Sequence, residues 1–311
     1  STLFPYTTLF RSGSWDKMIV DLSKNPYIAK RNFLVCIDSD GCAFDTMEIK
    51  HKECFCPATI YKWELQAVSS LAREAWEFVN LYSKTRGCSR FHAIIRVLDL
   101  LRERDEVRER GFKMPEYGQF RRWVETAPIL NNEALSKRSD EAELVRALDW
   151  SYEMNRNVAK MVYGIPPFPF VRESLEKLSE FADIVIVSAT PREALVKEWR
   201  EHGLDQFVTF LGAQEDGSKK EIIAAVKDFY HADHAIMIGD APGDWKAAAD
   251  NSILFFPIRP LDEINSWKAF YLQGIDDFYC QRYSGAAQEE QLVRFDRCLP
   301  SVPPWKKERA A

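Results

Sequence analysis

The stretch FLVCIDSDGCAFD, residues 33–45, places Asp38 and Asp40 one residue apart directly behind an apolar run, with Gly41 next and Asp45 five residues on. Carboxylates this close repel one another unless a cation or a proton compensates. A second acidic pair, Asp240 and Asp244, follows another apolar run in AIMIGDAPGDW, and Ser188 ends a third run in DIVIVSAT. In GSKKEII, Ser218 and Glu221 have capping-box spacing, which puts Lys219 in the first turn of a helix. A lysine there opposes the helix dipole, a placement that stability alone does not select. If the runs before Asp38 and Asp240 are neighbouring strands, Asp38, Asp40 and Asp240 converge. Such a group is a hard oxygen-ligand set suited to Mg2+ with several waters retained.

The elements that must position these residues are legible from period and punctuation. The runs 33–37, 183–187, 207–211, 235–238 and 253–258 are short, continuous and β-branched or aromatic, the pattern of strands buried on both faces of a parallel sheet. Helical patterns at 190–202, 219–230 and 244–250 alternate with the later runs, which predicts a doubly wound α/β fold. Thr190-Pro191-Arg192-Glu193 reads as a second capping box with proline at the first helical position. In such a sheet, ligands bind beyond the carboxyl ends of the strands, where strand order reverses. Asp38, Asp40, Ser188, Asp240 and Asp244 all fall at that edge, and Lys219 enters the helix beyond the third run.

From 47 to 168 the pattern is helical and charged without a convincing strand. A structureless loop of that length is implausible in a compact domain, so the interval is read as an all-helical domain inserted after the first strand. The α/β core then comprises 18–46 and 169–258, with the proline-rich YGIPPFPFV as the return linker. Residues 259–311 form a C-terminal extension whose aromatics, Trp267 to Tyr283, are expected to pack on the core. Residues 1–17, which precede Met18 and begin STLFPYTTLFRS, read as translated adapter sequence and are set apart from the fold.

A formal net charge of -5 and a pI near 5.7 argue against nucleic acid as a partner, and no run of about 18 apolar residues predicts a membrane span. Seven irregularly spaced cysteines are expected to be reduced thiols in the cytoplasm. Cys54 and Cys56 near His51 make a C-x-C without a second ligand pair, better read as ordinary thiols. Oligomeric state is not legible.

Together these segments resemble the four motifs of the haloacid dehalogenase-like superfamily. DSDGCAFD matches D-x-D-G-x-x-x-D, IVIVSAT the strand ending in Ser or Thr, GSKKEII the lysine opening a helix, and IMIGDAPGDWKAA the G-D-x-x-x-D motif. The resemblance implies a Rossmann-like core with a helical cap, and a Mg2+-dependent phosphatase acting on a small phosphorylated metabolite. It implies that Asp38 is the nucleophile and a metal ligand. Asp40 is implied as general acid and base, its backbone carbonyl also on the metal. Ser188 and Lys219 would hold the transferring phosphoryl group. Asp240 would complete the metal shell, with Asp244 orienting ligands or Lys219. Lys220 is the rival for the lysine role; Lys219 is preferred because Ile222, Ile223 and Val226 then share its inward face.

Asp45 is expected to tie the outgoing linker to the core. In the cap, NLYSKTRGCSRFH (80–92) interrupts two helical patterns, and Arg86 and Arg90, with Thr190 from the core, are taken as substrate contacts. A sugar-phosphate mutase on the same core and a catalytically silent module that binds a phosphorylated ligand are the competing functions.

Overall fold

The computed structural model describes residues 27–307 apart from Ser139; the segment 1–17 set apart above lies outside them. The apolar runs form five parallel strands, β1 (Phe33–Ile37), β2 (Ala182–Val187), β3 (Phe210–Gly212), β4 (Ala235–Gly239) and β5 (Leu254–Pro257), in the order β3-β2-β1-β4-β5. Every strand residue is buried, as unbroken apolar runs require when helices cover both faces. Along β1, Val35 and Ile37 join one apolar cluster while Leu34 and Cys36 join the cluster on the opposite face.

The chain winds outward from β1 through β2 to β3, then returns to place β4 on the other side of β1. Register Leu34↔Ala235 to Ile37↔Ile238 sets the residues after both strands side by side, and the Asp38 N–H donates to the Ile238 carbonyl at 3.0 Å. Strand order therefore reverses at the point where the two acidic motifs emerge.

Two local expectations are corrected. The third strand starts at Phe210, not Phe207, because Asp205–Phe207 closes a 3₁₀ turn. Phe207 and Val208 still pack against the core, but only Phe210–Gly212 pair with β2. The helix Arg192–Glu201 lacks the expected threonine box: Pro191 is its N-cap and offers no side-chain oxygen. The carboxylate of Glu215 accepts the Arg192 N–H instead, which frees the Thr190 hydroxyl for the site.

Between β1 and β2 the chain runs through helices from Thr46–Ile49 to Ala142–Met161, and no strand lies among the described residues of that interval. Its apolar faces close on a core of their own around Trp63, Trp76, Phe120 and Trp150. Trp63 meets Phe120 in a tilted pair at 5.6 Å and Trp150 edge-on at 6.3 Å. Each such fully buried side chain contributes about 2–3 kcal/mol, so this layer does not depend on the sheet for burial. The chain returns along the outgoing segment through a bridge of Phe44 with Pro167 and a Phe168 N–H bond to the Ala43 carbonyl. Asp45 does not tie this linker, contrary to expectation; it is exposed and caps nothing, and the backbone bonds at Ala43 and Phe44 do the work.

Beyond β5, Trp267, Phe270, Ile275, Phe278 and Tyr283 cover one face of the sheet, and Phe295 and Leu299 the other. Trp305 then crosses to pack against the helical core.

Candidate active site

Asp38 leaves β1 as a residue 5% exposed, and Asp240 and Asp244 follow β4 at 1% and 0%. One oxygen of each lies within 4.8 Å of the others. Burying three carboxylates together demands compensation, and part of it comes from Lys219. Its Nζ stands 2.8 Å from Asp38 Oδ2 and 2.5 Å from Asp244 Oδ1. Burial lowers the Lys219 ammonium, yet Asp244 and Asp38 outweigh it and push its pKa above the usual lysine range. Lys219 therefore stays charged. Lys220, its rival in the sequence, is 59% exposed and pairs with Asp250.

The remaining oxygens are accounted for one by one. Asp38 Oδ1 accepts the Ser39 N–H at 2.8 Å. Asp244 Oδ2 accepts the Asp240 and Ala241 N–H groups at 3.1 and 3.0 Å, which caps the helix Pro242–Asp250. Asp240 Oδ2 is held by Arg86, while Asp240 Oδ1 is buried without a hydrogen-bond partner. Burial pushes Asp38 well above the ordinary carboxylate range, with Lys219 opposing and Asp244 and Asp240 reinforcing the rise. Burial raises Asp240 likewise, against Arg86. Three buried carboxylates within reach of one point, one of them with an orphaned oxygen, fit a divalent cation.

Asp40 faces away from this cluster. Its Oδ1 takes the Thr46 hydroxyl and the Lys50 ammonium, and Oδ2 takes the Thr190 hydroxyl at 2.8 Å. Burial pushes its carboxyl up, but the charge of Lys50 and the three hydrogen bonds win and hold it at about 2. Only the backbone carbonyl of Asp40 is left to serve a cation, as the family resemblance implies. Ser188 is buried at the end of β2, and its Oγ accepts the Thr190 N–H at 3.2 Å. The turn therefore sets both hydroxyls, one on Asp40 and one at the strand edge.

The two cap arginines part company. Arg86, expected as a substrate contact, is buried with Nε and Nη2 on Asp240 and Nη1 on the Leu81 carbonyl. Arg90 stays within the cap, its Nη1 on Asn155 Oδ1 at 2.7 Å and its guanidinium 5.3 Å over the Phe55 ring. Cys54 and Cys56 are buried free thiols, and among the described residues only the three aspartates form a metal-ligand group.

Sequence reasoning passed over Thr46, Lys50 and Glu198. Thr46 and Lys50 are four apart just after the first motif, a spacing that puts both on one helical face; that signal was available. Glu198 accepts the Ser39 hydroxyl at 2.8 Å from across the fold, and no local pattern marks it.

Four sequence motifs thus meet at one sheet edge, on strands in the order required to bring them there. The arrangement is a doubly wound parallel α/β core with the four motifs at its carboxyl edge, as the resemblance implied. No family model matches the chain, and no curated protein matches it. Among solved structures, a haloacid dehalogenase-like family hydrolase from Streptococcus pneumoniae is similar at 15% identity and a TM-score of 0.43, covering 79% of this chain and 98% of its own. A hydrolase from Pseudomonas syringae is 14% identical, with a TM-score of 0.45 and coverage of 76% and 89%. A HAD-superfamily hydrolase of subfamily IA from Geobacter sulfurreducens is 14% identical, with a TM-score of 0.37 and coverage of 74% and 90%. The chemical reading of the site rests on its own residues.

Proposed function

We propose that the chain is a Mg2+-dependent phosphatase that hydrolyses a small phosphorylated metabolite through an aspartyl-phosphate on Asp38. The observation that carries the reading is the convergence of Asp38, Asp240 and Asp244 within 4.8 Å, with the Lys219 ammonium 2.8 Å from Asp38. A cation held by the three carboxylates and the Asp40 carbonyl would neutralise charge on the transferring phosphoryl oxygens. Asp38 attacks phosphorus, and the leaving oxygen departs with a proton. Lys219 stays charged through the cycle and offsets the negative charge that grows during transfer, while Ser188 donates to a phosphoryl oxygen. Asp40, held ionised by Lys50, is set to take the proton of the attacking water in the second half-reaction. In the first half Asp40 must carry a proton, taken up from solvent once its contacts with Lys50 and Thr46 are released, and it passes that proton to the leaving oxygen. Arg90 reads the part of the substrate beyond the phosphate, under a cap that excludes water.

Hydrolysis of a generic aryl phosphate tests the reading. Turnover is expected with Mg2+, lost on chelation, and reduced about a thousandfold or more in Asp38→Asn. Absence of turnover with Mg2+, or full rate in Asp38→Asn, ends it. Isomerisation of a sugar phosphate dependent on a bisphosphate activator would reassign the site to a mutase.

A further inference from the structure

Arg86 belongs to the cap loop between the helices Ser69–Asn80 and Arg90–Glu103, yet its guanidinium is buried against a carboxylate of the core 154 residues away. The contact is built from both sides. Gly41, at φ +77, leaves the space the guanidinium fills: a Cβ there would lie 2.6 Å from Arg86 Nη2 and 2.7 Å from Asp240 Oδ2. Gly87, at φ +76, brings the loop so close to the strand end that its own Cβ would stand 2.9 Å from the Ala241 Cβ. Nη1 is anchored to the Leu81 carbonyl at 2.9 Å, which fixes the fork. The partner oxygen, Asp240 Oδ1, remains buried and unpaired, on a carboxylate that has one oxygen within 4.8 Å of oxygens of Asp38 and Asp244.

Formal charge then links the loop to the site. With Arg86 seated, three carboxylates face two cations, Lys219 and Arg86, and one negative charge is left over. A divalent cation at the orphaned oxygen reverses that to one positive charge in a buried site, and a phosphate dianion restores one negative charge. We propose that Arg86 is a built-in counter-ion that makes cap seating conditional on the contents of the site: a divalent cation alone loosens the loop, and a cation together with phosphate reseats it. The inference rests on the phosphatase reading for the presence of the cation. By reciprocity, the seated arginine weakens cation binding to the extent that the cation unseats the arginine.

The amides of Lys84, Arg86 and Cys88 are hydrogen-bonded to Pro300, Ser83 and Thr85, so hydrogen exchange reports the loop. Exchange across 82–88 is measured on the full chain in buffer, with Mg2+, and with Mg2+ plus inorganic phosphate, alongside calorimetric titration with Mg2+. Exchange is expected to rise several-fold with Mg2+ alone and to fall back when phosphate is added. Arg86→Gln, which keeps a donor but removes the charge, is expected to bind Mg2+ about tenfold more tightly and to lose the Mg2+ dependence of loop exchange; Arg86→Lys is expected to keep part of that dependence. Mg2+ binding with unchanged or slowed loop exchange in the natural chain overturns this inference and leaves the phosphatase reading standing. Weaker Mg2+ binding by Arg86→Gln also overturns it, since Arg86 would then only position Asp240. Absence of any Mg2+ binding overturns both. The natural chain alone decides the matter if Arg86→Gln fails to fold.

Discussion

Glu198 ties the stability of the molecule to pH through one carboxyl. Burial first, and the neighbouring charge of Asp40 second, raise it to about 7 against the help of Lys50 and the Ser39 hydroxyl. Its pKa in the fold lies above the ordinary glutamate value, so the fold favours the protonated form. The stability contributed is complete below the ordinary value and is lost as pH rises through about 7. Glu198→Gln holds the neutral state permanently. It is expected to raise stability at pH 8 by about 1 kcal/mol, a fraction of the full shift because the side chain is partly solvated, and to change little at pH 4. Thermal unfolding at the two pH values measures this; an equal gain at both would trace to packing. The carboxyls of Asp38 and Asp240 are raised in the same direction by burial, which is the usual relation between a site built for a ligand and the stability it forgoes.

One turn of helix controls the protonation of Asp40. The segment Lys50–Phe55 is a π-helical turn between the α-helical stretches Thr46–Ile49 and Cys56–Lys62. Such wide turns recur at functional sites because the extra residue re-aims side chains. Lys50 opens this turn and pairs with Asp40, and the next residue, His51, has Nδ1 buried without a partner. Burial, then Arg86, lowers the His51 ring to about 3, so it stays neutral beside Lys50. Replacing Lys50 by methionine removes the charge that holds Asp40 down. The acidic limb of the pH–rate profile is expected to move up by about one unit or more. A fall in rate at every pH with no movement of the limb would assign Lys50 a packing role only.

At the scale of the molecule, the C-terminal segment is a strap from core to cap. Phe295 and Leu299 are buried under the sheet. Lys84 of the cap loop then pairs with Asp296 and bonds to the Pro300 carbonyl. Trp305 lies 5.7 Å from the Phe78 ring with the Arg104 guanidinium 4.6 Å over its face, and Lys306 pairs with Glu103. The surface ion pairs contribute little; the tryptophan carries the attachment. Trp305→Ala is expected to cost about 1–2 kcal/mol. It is also expected to raise protease sensitivity in the cap while leaving the sheet region protected, which limited digestion with fragment mapping reads. Equal sensitivity of both layers would mean that the strap stabilises the whole fold rather than the cap. Among the described residues no helix is long and apolar enough to cross a membrane.

The sequence by itself determined the parallel sheet, the helical interval and the placement of Asp38, Asp240, Asp244 and Lys219 at one edge. Those features follow from local periodicity, from strand ends and from the dipole penalty on a first-turn lysine, all written in contiguous residues. The start of the edge strand β3 was misplaced because an apolar run does not say which of its residues find a ladder partner. Thr190 was given a capping role beside its site role because a capping hydroxyl and a site hydroxyl look alike until Glu215 arrives from elsewhere to cap the helix. Only the tertiary structure decided that Arg86 faces inward to Asp240, that Glu198 reaches Ser39 and that Trp305 packs on the helical layer. Each is a pairing between residues distant in the chain. Its energy comes from desolvating one charge or ring against another, a quantity that exists only once the chain has closed around both.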